Sequence, residues 1–253
     1  MYFLDFIRNL FSWRTLTLLS AGRTDTGKIR PHNEDSFALH PAQQLFFVAD
    51  GMGGHLGGEV AANLAIEVAS SFLPAPELRR ARNSSEECRH LLIQAFRKAN
   101  HAVLTYGDKH PEVAGLGCTL ICCLIAHKKA HFCHVGDVRG YLLRGGVLSQ
   151  ITTDHSLAAS VPSGGKKIPK NIITRCIGVT MADDPEHHTI TIGPEDTLLL
   201  CSDGLWNMLS QEELTETIQE ATDLDRCCEV LVDKANEAGG RDNITVVLVR
   251  VEE

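Results

Sequence analysis

The sequence predicts an α+β fold with mainly antiparallel sheets. Short apolar runs of strand length are joined by tight turns, as at Gly145–Gly146 between the runs 141–144 and 147–151. Helical patterns come in pairs between these strand blocks, whereas a doubly wound parallel sheet would need a regular alternation of strand and helix. The 253 residues contain no linker, repeat or low-complexity segment, so one main domain is expected.

The first half of the chain predicts two strands followed by two helices. The strands are expected at 36–39 and 45–49. A helix face over 60–72 should end before Pro74 and Pro76, and 75–83 is expected to be a polar loop. A second helix should begin at a capping box at Ser84 and end at Gly107.

The second half predicts mostly strands, with two further helices near its end. The helices are expected after a second capping box at 210–213 and over 224–238, the latter ended by Gly239–Gly240. The segment 153–170 is expected to be an irregular surface loop. Alternating or apolar runs predict strands at 118–126, 130–135, 141–144, 147–151, 189–192, 197–201 and 244–251.

Composition excludes some classes of protein. The formal net charge of -8 argues against nucleic acid as the main partner, because binding to a phosphate backbone needs clustered Lys and Arg. The nine cysteines form no CxxC pair and lie mostly in apolar runs. They indicate reduced, buried thiols and a cytoplasmic protein.

The N-terminal segment 1–19 is apolar but interrupted by Asp5, Arg8 and Arg14, so neither a transmembrane span nor a signal peptide is expected. Its apolar residues over 2–11 fall at helical spacing. We expect it to pack on a domain formed by 20–253. The alternative is that residues 1–15 dock the protein on a membrane surface or on a larger assembly.

Aspartates recur at the ends of predicted strands. Asp50, Asp137 and Asp203 each follow a strand-like run, Asp242 precedes one, and the acidic pair Glu34–Asp35 lies upstream. Any single one of these could be an ordinary turn residue. If they meet at one sheet edge, they would repel one another unless a cation lies between them. Oxygen ligands alone favour Mg²⁺ or Mn²⁺ over zinc, and two such ions can activate a water molecule.

Six motifs resemble, in order, those of the metal-dependent protein Ser/Thr phosphatases, the PPM or type 2C family, in its compact bacterial form. They are TDTGKIRPHNEDS (24–36), DGMGGH (50–55), GDVRG (136–140), TTDHS (152–156), SDGLW (202–206) and GRDNIT (240–245). The resemblance covers about residues 20–251. It implies a four-layer α-β-β-α sandwich, in which helix pairs flank two antiparallel sheets, with two Mn²⁺ or Mg²⁺ ions at one edge.

The resemblance also implies roles for individual residues. Asp50 would bridge the two ions, Gly51 would offer its carbonyl, and Asp203 and Asp242 would hold the ion that Asp50 shares. Asp35 would lie near the centre and act through water. The other implied roles belong to Asp137 at a weaker third ion, to Glu34 and Asn243 behind the ligands, to Arg30 as the phosphate clamp, and to His55 as the group that protonates the leaving oxygen.

The implied reaction is hydrolysis of phosphoserine and phosphothreonine in proteins by in-line attack of metal-bound hydroxide, without a covalent intermediate. The enzyme would oppose a bacterial Ser/Thr kinase and act as a monomer. Two features depart from the family pattern: Val138 stands where serine is usual, and the segment 155–171 looks short for the family's flap. Substrate choice and affinity for the third ion are the properties that these departures affect.

Other interpretations of the same motifs are weaker. The glycine-rich turn after Asp50 lacks the last glycine of a dinucleotide fingerprint, because Leu56 stands there. A zinc site at His127, His131, Cys133 and His134 is disfavoured because His131 and His134 would point to opposite faces of a strand. The main alternative to an enzyme is a metal-bound regulator that recognises phosphoproteins without hydrolysing them, and the complete motif set argues against it.

Overall fold

A computed structural model describes residues 16–53, 57–82, 84–157, 172–180 and 183–252. These residues form two five-stranded sheets in which every neighbouring pair of strands is antiparallel. In spatial order, the first sheet contains β1 (Thr17–Asp25), β10 (Ile244–Glu252), β9 (Thr197–Cys201), β6 (Arg139–Arg144) and β7 (Val147–Gln150). The second contains β2 (Ser36–His40), β3 (Leu45–Met52), β4 (Gly117–Ala126), β5 (Lys129–Val135) and β8 (Glu186–Thr191).

Helices cover the outer face of each sheet, and the predicted four layers are confirmed. The second sheet packs against α1 (Gly57–Ser71), α2 (Ala75–Ala81) and α3 (Ser85–Lys109). The first sheet packs against α4 (Asp203–Trp206), α5 (Gln211–Glu220) and α6 (Leu224–Glu237). Two short 3₁₀ turns, Pro41–Gln43 and Pro111–Val113, complete the regular elements of the described residues.

Alternation along the strands divides the core into three parts. Phe46 of β3 faces the other sheet, while its neighbour Phe47 faces the helices, because successive side chains of a strand point to opposite faces. Phe132 of β5 and Val247 of β10 meet Phe46 in the layer between the sheets. All four side chains are fully buried. Strand β3 is therefore covered on one face by the other sheet and on the opposite face by the helices.

The β6–β7 hairpin forms as its two glycines predict. Gly145 and Gly146 have φ angles of +54° and +81°, the left-handed values that a type I′ turn requires at both central positions. The predicted capping box of α5 is also present, because the Ser210 hydroxyl accepts from the Glu213 amide while the Glu213 carboxylate accepts from the Ser210 amide.

Several elements differ from the sequence-based prediction. The short helix Asp203–Trp206 was not predicted, and the strand predicted at 189–192 is found at Glu186–Thr191. Residues predicted as a polar loop form α2, because Pro74 caps that helix and Pro76 lies in its first turn, where a missing amide hydrogen does no harm. Helix α3 continues through Gly107 to Lys109. Strand β1 begins at Thr17 and pairs with β10, so residues 17–19 are part of the sheet. The division at residue 19 stays a prediction, and residues 1–15 lie outside the described residues.

All nine cysteines are free thiols, eight of them buried and Cys176 half-buried. Burial raises the pKa of Cys88 and Cys227 to about 11, so these thiols stay protonated at neutral pH. Among the described helices, none combines the length and hydropathy needed to cross a bilayer.

Candidate functional site

Five aspartates from both sheets meet at one end of the sandwich. Asp50 lies near the end of β3, and the pairing of Ser36 with Ala49 brings Asp35, just before β2, beside it. Asp203 opens α4 directly after β9, and Asp242 precedes β10, the neighbour of β9. Asp137 lies in the connection through which the chain passes from β5 in one sheet to β6 in the other. The predicted convergence of these residues is therefore present.

The carboxylates act on one another electrostatically. Burial, followed by the charges of Asp35, Asp203, Asp137 and Asp242, raises the pKa of Asp50 well above its usual value. Burial is also the main cause that raises the pKa of Asp35 and of Asp203 to about 7, and that of Asp137 to about 6. Among the described residues, Arg30 offsets part of this negative charge at Asp35 and Asp203, and the mutual repulsion of the carboxylates remains.

The arrangement of donor atoms fits a hard divalent cation. Asp35 Oδ1 and Asp137 Oδ1 are buried and have no hydrogen-bond partner among the described residues. Buried carboxylate oxygens are normally paired, so these two are free to serve as ligands, directly or through water. A set of donors made only of oxygen atoms suits Mg²⁺ or Mn²⁺.

The second carboxylate oxygen of Asp35, Oδ2, is held by residues of the first sheet and its adjoining loops. The Ser202 hydroxyl donates to Asp35 Oδ2 at 2.7 Å and accepts from the Thr245 amide at 2.9 Å. Asn33 Oδ1 accepts from the Asp35 amide at 3.1 Å. Because its orientation is set by residues of three different motifs, Asp35 presents Oδ1 in a defined direction.

Asn243 organises the loop that carries the acidic pair. Its Nδ2 donates to the carbonyls of Thr26 and His32 at 2.8 and 2.9 Å, and its Oδ1 accepts from the Glu34 amide at 2.8 Å. The Asn243 amide in turn donates to Asp242 Oδ1 at 2.9 Å. One amide side chain therefore ties the 26–34 loop to the base of β10, and the place of Asn243 behind the ligands stays a prediction.

Gly51 occupies a position that only glycine fits. Its amide donates to the Glu34 carbonyl at 3.1 Å. A β-carbon at this position would collide with the backbone carbonyl of Gly58 at the start of α1 and with that of Glu34. The Glu34 side chain lies against Gly58, where a β-carbon would displace it. The close approach of these segments explains why glycine stands at 51 and at 58.

Arg30 stands at the rim of the acidic end. Its Nη2 donates to Asp242 Oδ2 at 2.7 Å, and about half of its side chain is exposed, at 49%. The amides of Lys28 and Ile29 both donate to the Gly240 carbonyl, so the backbone that carries Arg30 is anchored. Burial lowers the pKa of Arg30, but Asp242, Glu34 and Asp50 together raise it above its usual value. The guanidinium remains charged and accessible.

The turn that holds Asp137 is supported by aromatic and ionic contacts. Trp206 Nε1 donates to the Asp137 carbonyl at 3.2 Å, and Arg139 stacks over the Trp206 ring at 3.5 Å. Arg139 also forms a two-point ion pair with Asp154. Val138, where the family usually has serine, is buried between the two sheets. The substitution therefore fills the core and leaves the Asp137 carboxylate in place.

Two predicted features cannot be placed and one cluster was missed. His55 lies outside the described residues, as do residues 158–171 of the short segment after His155. His131 and His134 lie on opposite faces of β5, as expected, with His131 beside His187 and His134 beside His188. No sequence pattern indicates the cluster of His134, His155 and Glu186, because these residues come from three separate segments.

Comparison with known proteins places this geometry in a family. Residues 30–240 match the family model described as Protein phosphatase 2C. The chain is 37% identical to serine/threonine phosphatase stp of Listeria monocytogenes over 238 residues, which are 90% of this chain and 93% of that protein.

Solved structures agree with the sequence comparison. The fold is similar to that of the Mycobacterium tuberculosis phosphatase PstP/Ppp, with a TM-score of 0.84 and 32% identity over 94% of this chain and all of that chain. It is equally similar to the PstP catalytic domain in complex with two manganese ions, with a TM-score of 0.83 and 34% identity over the same shares.

Proposed function

The chain belongs to the protein phosphatase 2C family, and from this we propose that it hydrolyses phosphoserine and phosphothreonine in proteins with Mn²⁺ or Mg²⁺ as cofactor. The observation that carries the proposal is the cluster of five aspartates from both sheets, with two buried oxygens that have no hydrogen-bond partner in the described part of the chain and an accessible arginine at its rim. A phosphate ester needs both a cation and a guanidinium partner, and this end of the sandwich offers a place for each.

Asp50, Asp203 and Asp242 are the residues that would hold the ions, with the Gly51 carbonyl beside Asp50. Asp35 would act through water, and Asp137 would contribute to a weaker third ion. When bound, the ions supply a Lewis acid that makes water nucleophilic near neutral pH and offsets the charge of the phosphate. The clustered aspartates support this assignment. The free-energy cost of ionising each carboxyl group is lower beside a cation than beside other carboxylates alone.

Arg30 is proposed to bind and orient the phosphate. Its guanidinium has a free face at the rim, and Asp242 holds the group in place without neutralising the whole fork of donors. The anchored backbone at Lys28 and Ile29 limits how far the side chain moves. A guanidinium held in this way aligns a phosphate monoester against the aspartate cluster. The entropy lost on reaching the transition state is then smaller, because the substrate is already oriented.

The cysteines support direct hydrolysis rather than a thiol nucleophile. A nucleophilic cysteine needs a lowered pKa and access to substrate. Burial raises the pKa of Cys88, Cys227 and the half-buried Cys176 instead. The alternative of a regulator that binds without hydrolysing is not favoured, since the aspartates and Arg30 are all present and assembled.

The decisive experiment follows hydrolysis of a phosphothreonine peptide with Mn²⁺, with excess EDTA, and by the variant Asp203→Asn. We expect activity that requires the metal and falls at least 100-fold in the variant, because an amide is a poorer ligand than a carboxylate. Asp233→Asn, on the exposed side of α6, is the matched control and should keep full activity. Activity that survives EDTA would contradict the metal requirement, and peptide binding without hydrolysis would support the regulator.

The finer parts of the proposal concern partners and location. We infer that the enzyme is a cytoplasmic monomer that opposes a Ser/Thr kinase, and that residues 1–15 pack on the domain or dock it to a membrane or an assembly. Deletion of 1–15 leaves β1 intact, because that strand begins at Thr17. Unchanged localisation and activity of the deletion variant would remove the docking role.

A further inference from the structure

A histidine–carboxylate cluster lies directly behind the turn that carries Asp137. It consists of His134 on β5, His155 after β7 and Glu186 on β8. Both histidines are buried, with exposed fractions of 0% and 7%. None of the three has a part in the reaction proposed above, so their arrangement needs its own explanation.

His155 holds the Gly136–Asp137 turn through two hydrogen bonds. Its ring Nδ1 accepts from the Gly136 amide at 3.1 Å, and its own amide donates to the Gly136 carbonyl at 3.0 Å. Gly136 has a φ of +103°, and a β-carbon there would collide with Thr119. The turn therefore has an unusual backbone conformation, and His155 hydrogen-bonds both its amide and its carbonyl at Gly136. Gly136 is the residue directly before Asp137.

Glu186 fixes the state of the His155 ring. A backbone amide can only donate, so Nδ1 of His155 must carry a lone pair and Nε2 must carry the hydrogen. Nε2 then donates to Glu186 Oε2 at 2.9 Å, and burial is the main cause that lowers the pKa of His155 and keeps the ring neutral. The carboxylate thus selects the tautomer that can accept from Gly136.

His134 holds the same ring in its plane. The two imidazoles stack with centroids 4.6 Å apart and an angle of 20° between their planes. His134 Nε2 donates to the carbonyl of Thr153, two residues before His155, at 3.0 Å. The stacked ring and this bond leave His155 little freedom to rotate away from Gly136.

We propose that His155, with Glu186 as its partner, is a positioning residue that sets the direction of the Asp137 carboxylate and so the strength of metal binding at that side of the centre. The inference rests on the proposed function, in which Asp137 is a ligand of the weaker ion. Groups that orient a ligand from behind commonly change metal affinity by about 10- to 100-fold when removed.

A metal ion bound by the cluster itself is the competing explanation. The donor atoms of His134, His155 and Glu186 lie within 4.8 Å of one another. A neutral imidazole has a single lone pair, however, and His155 already uses it at Nδ1 to accept from Gly136. Coordination through Nε2 would break that bond or require an imidazolate, so the hydrogen-bonded arrangement is the one the geometry favours.

The test uses the full chain and two measurements, calorimetric titration with Mn²⁺ and the Mn²⁺ dependence of phosphopeptide hydrolysis. His155→Leu removes both the acceptor and the donor of the ring. We expect it to weaken the weaker Mn²⁺-binding event about 10-fold or more and to raise the Mn²⁺ concentration for half-maximal activity in proportion, while KM for the peptide at saturating Mn²⁺ stays within about twofold.

Two further variants separate positioning from general loosening of the fold. His155→Asn keeps an acceptor near the place of Nδ1 and should recover part of the Mn²⁺ affinity. His131→Leu removes a histidine that is equally buried but bonds to Thr189 on the other face of β5. It should lower the melting temperature without changing Mn²⁺ binding.

The outcomes divide cleanly. Wild-type Mn²⁺ binding in His155→Leu would overturn the inference, and so would an equal loss in His131→Leu. If His155→Leu fails to fold, Glu186→Ala takes its place, because it removes the partner of His155 Nε2, together with the contact of Glu186 Oε1 with His188, and leaves the His155 ring itself in place. It should weaken the same binding event. An inactive wild-type protein would refute the proposed function, while the calorimetric comparison would still decide the positioning role.

Discussion

Asp50 is surrounded by four other carboxylates, so the residue-scale behaviour of this end of the molecule is governed by like charges held at short range. In other folds such a cluster would be avoided, because each buried carboxylate raises the free energy of its neighbours. In this protein the repulsion between the carboxylates is present in the folded state. Two of its consequences can be measured by substituting single residues.

The first is that the metal-free protein gains stability when one of these charges is removed. Asp203→Asn keeps an acceptor for Asn207 Nδ2 but deletes a charge that faces Asp242, Asp137 and Asp35. In EDTA we expect stabilisation on the order of 1 kcal/mol, which is a rise in Tm of about 2–4 °C. With saturating Mn²⁺ the wild type should have the higher Tm, because the variant has lost a metal ligand.

Thermal unfolding of both proteins in EDTA and in Mn²⁺ measures this effect. The control is Asp233→Asn, whose aspartate is exposed on α6, and its Tm should match the wild type in either condition. A Tm for Asp203→Asn that is equal to or below the wild type in EDTA would contradict the repulsion inferred from the geometry.

The second concerns Arg30 at the rim. Arg30→Ala removes a charge-assisted partner of the phosphate worth about 1.5–3 kcal/mol, so kcat/KM for a phosphopeptide should fall about 10- to 100-fold. Arg30→Lys should recover part of this loss, because an ammonium replaces the charge but not the planar fork. Inhibition by free phosphate should weaken in the same order.

Arg97 supplies the matched control for that measurement. It is exposed and paired with Asp184, as Arg30 is with Asp242, but it lies on α3. Arg97→Ala should leave kcat/KM unchanged. If the two alanine variants lose activity equally, the phosphate role of Arg30 is wrong.

At this scale the sequence predicted that the strand-end aspartates converge, for a physical reason, while the roles assigned to them stay predictions. Asp50, Asp203 and Asp242 sit beside strand ends, and the strand patterns that locate those ends are local. The partners of His155 could not be predicted in the same way, because the side chain of Glu186 reaches it across 31 residues of sequence. The state of its ring is likewise decided by an amide donor that no residue pattern reveals.

At the scale of elements, the pairing of β5 with β8 buries histidines that must stay neutral. Burial is the main cause that lowers the pKa of His131 to about 4, assisted by the charges of His187 and Lys129. An unfolded histidine has a pKa of about 6.5. Between these values the unfolded chain binds more protons than the folded one, so stability is complete above about pH 6.5 and falls as the pH drops toward 4.

The variant His131→Gln isolates this contribution. At pH 7 the wild type should be the more stable protein, and the gap in unfolding free energy should shrink as the pH is lowered, by at most about 1.4 kcal/mol per pH unit. Urea unfolding of both proteins in EDTA between pH 7 and 4.5 measures the gap and cancels the contribution of the aspartates. A gap that stays constant would mean that His131 binds its proton as readily in the folded protein as in the unfolded chain, which would contradict the lowered pKa.

Two of the elements that were predicted wrongly, α2 and the end of α3, share one cause, which is that the same residue type has different effects at different positions. Pro74 and Pro76 stop a helix when they follow it but favour one when they precede it, and here they do both. Gly107 is inside α3 because Leu116 packs where its side chain would be. Strand β1 is recognisable only through its partner β10, whose residues lie more than two hundred positions away.

At the scale of the whole molecule, the order of strands explains how two sheets build one centre. Asp35 and Asp50 belong to the sheet of β2 and β3, and Asp203 and Asp242 belong to the ends of β9 and β10 in the other sheet. The layer of apolar side chains between the sheets fixes their distance. A cation bound among these aspartates would therefore link the two sheets at a place where the core itself does not reach.

This linkage predicts that Mn²⁺ stabilises the molecule as a unit. At 100 times the dissociation constant, binding adds about 2.7 kcal/mol, and each kcal/mol raises Tm by about 2–4 °C for a domain of this size. We expect one unfolding transition that moves upward with Mn²⁺, and slower amide exchange in β3 and β10 alike. Asp50→Asn should remove both effects, because this side chain lies at the centre of the cluster. The prediction fails if Mn²⁺ slows amide exchange in only one sheet, or if two unfolding transitions appear and only one shifts with Mn²⁺. Either result would show that one sheet alone holds the ion and that the ion does not link the two sheets.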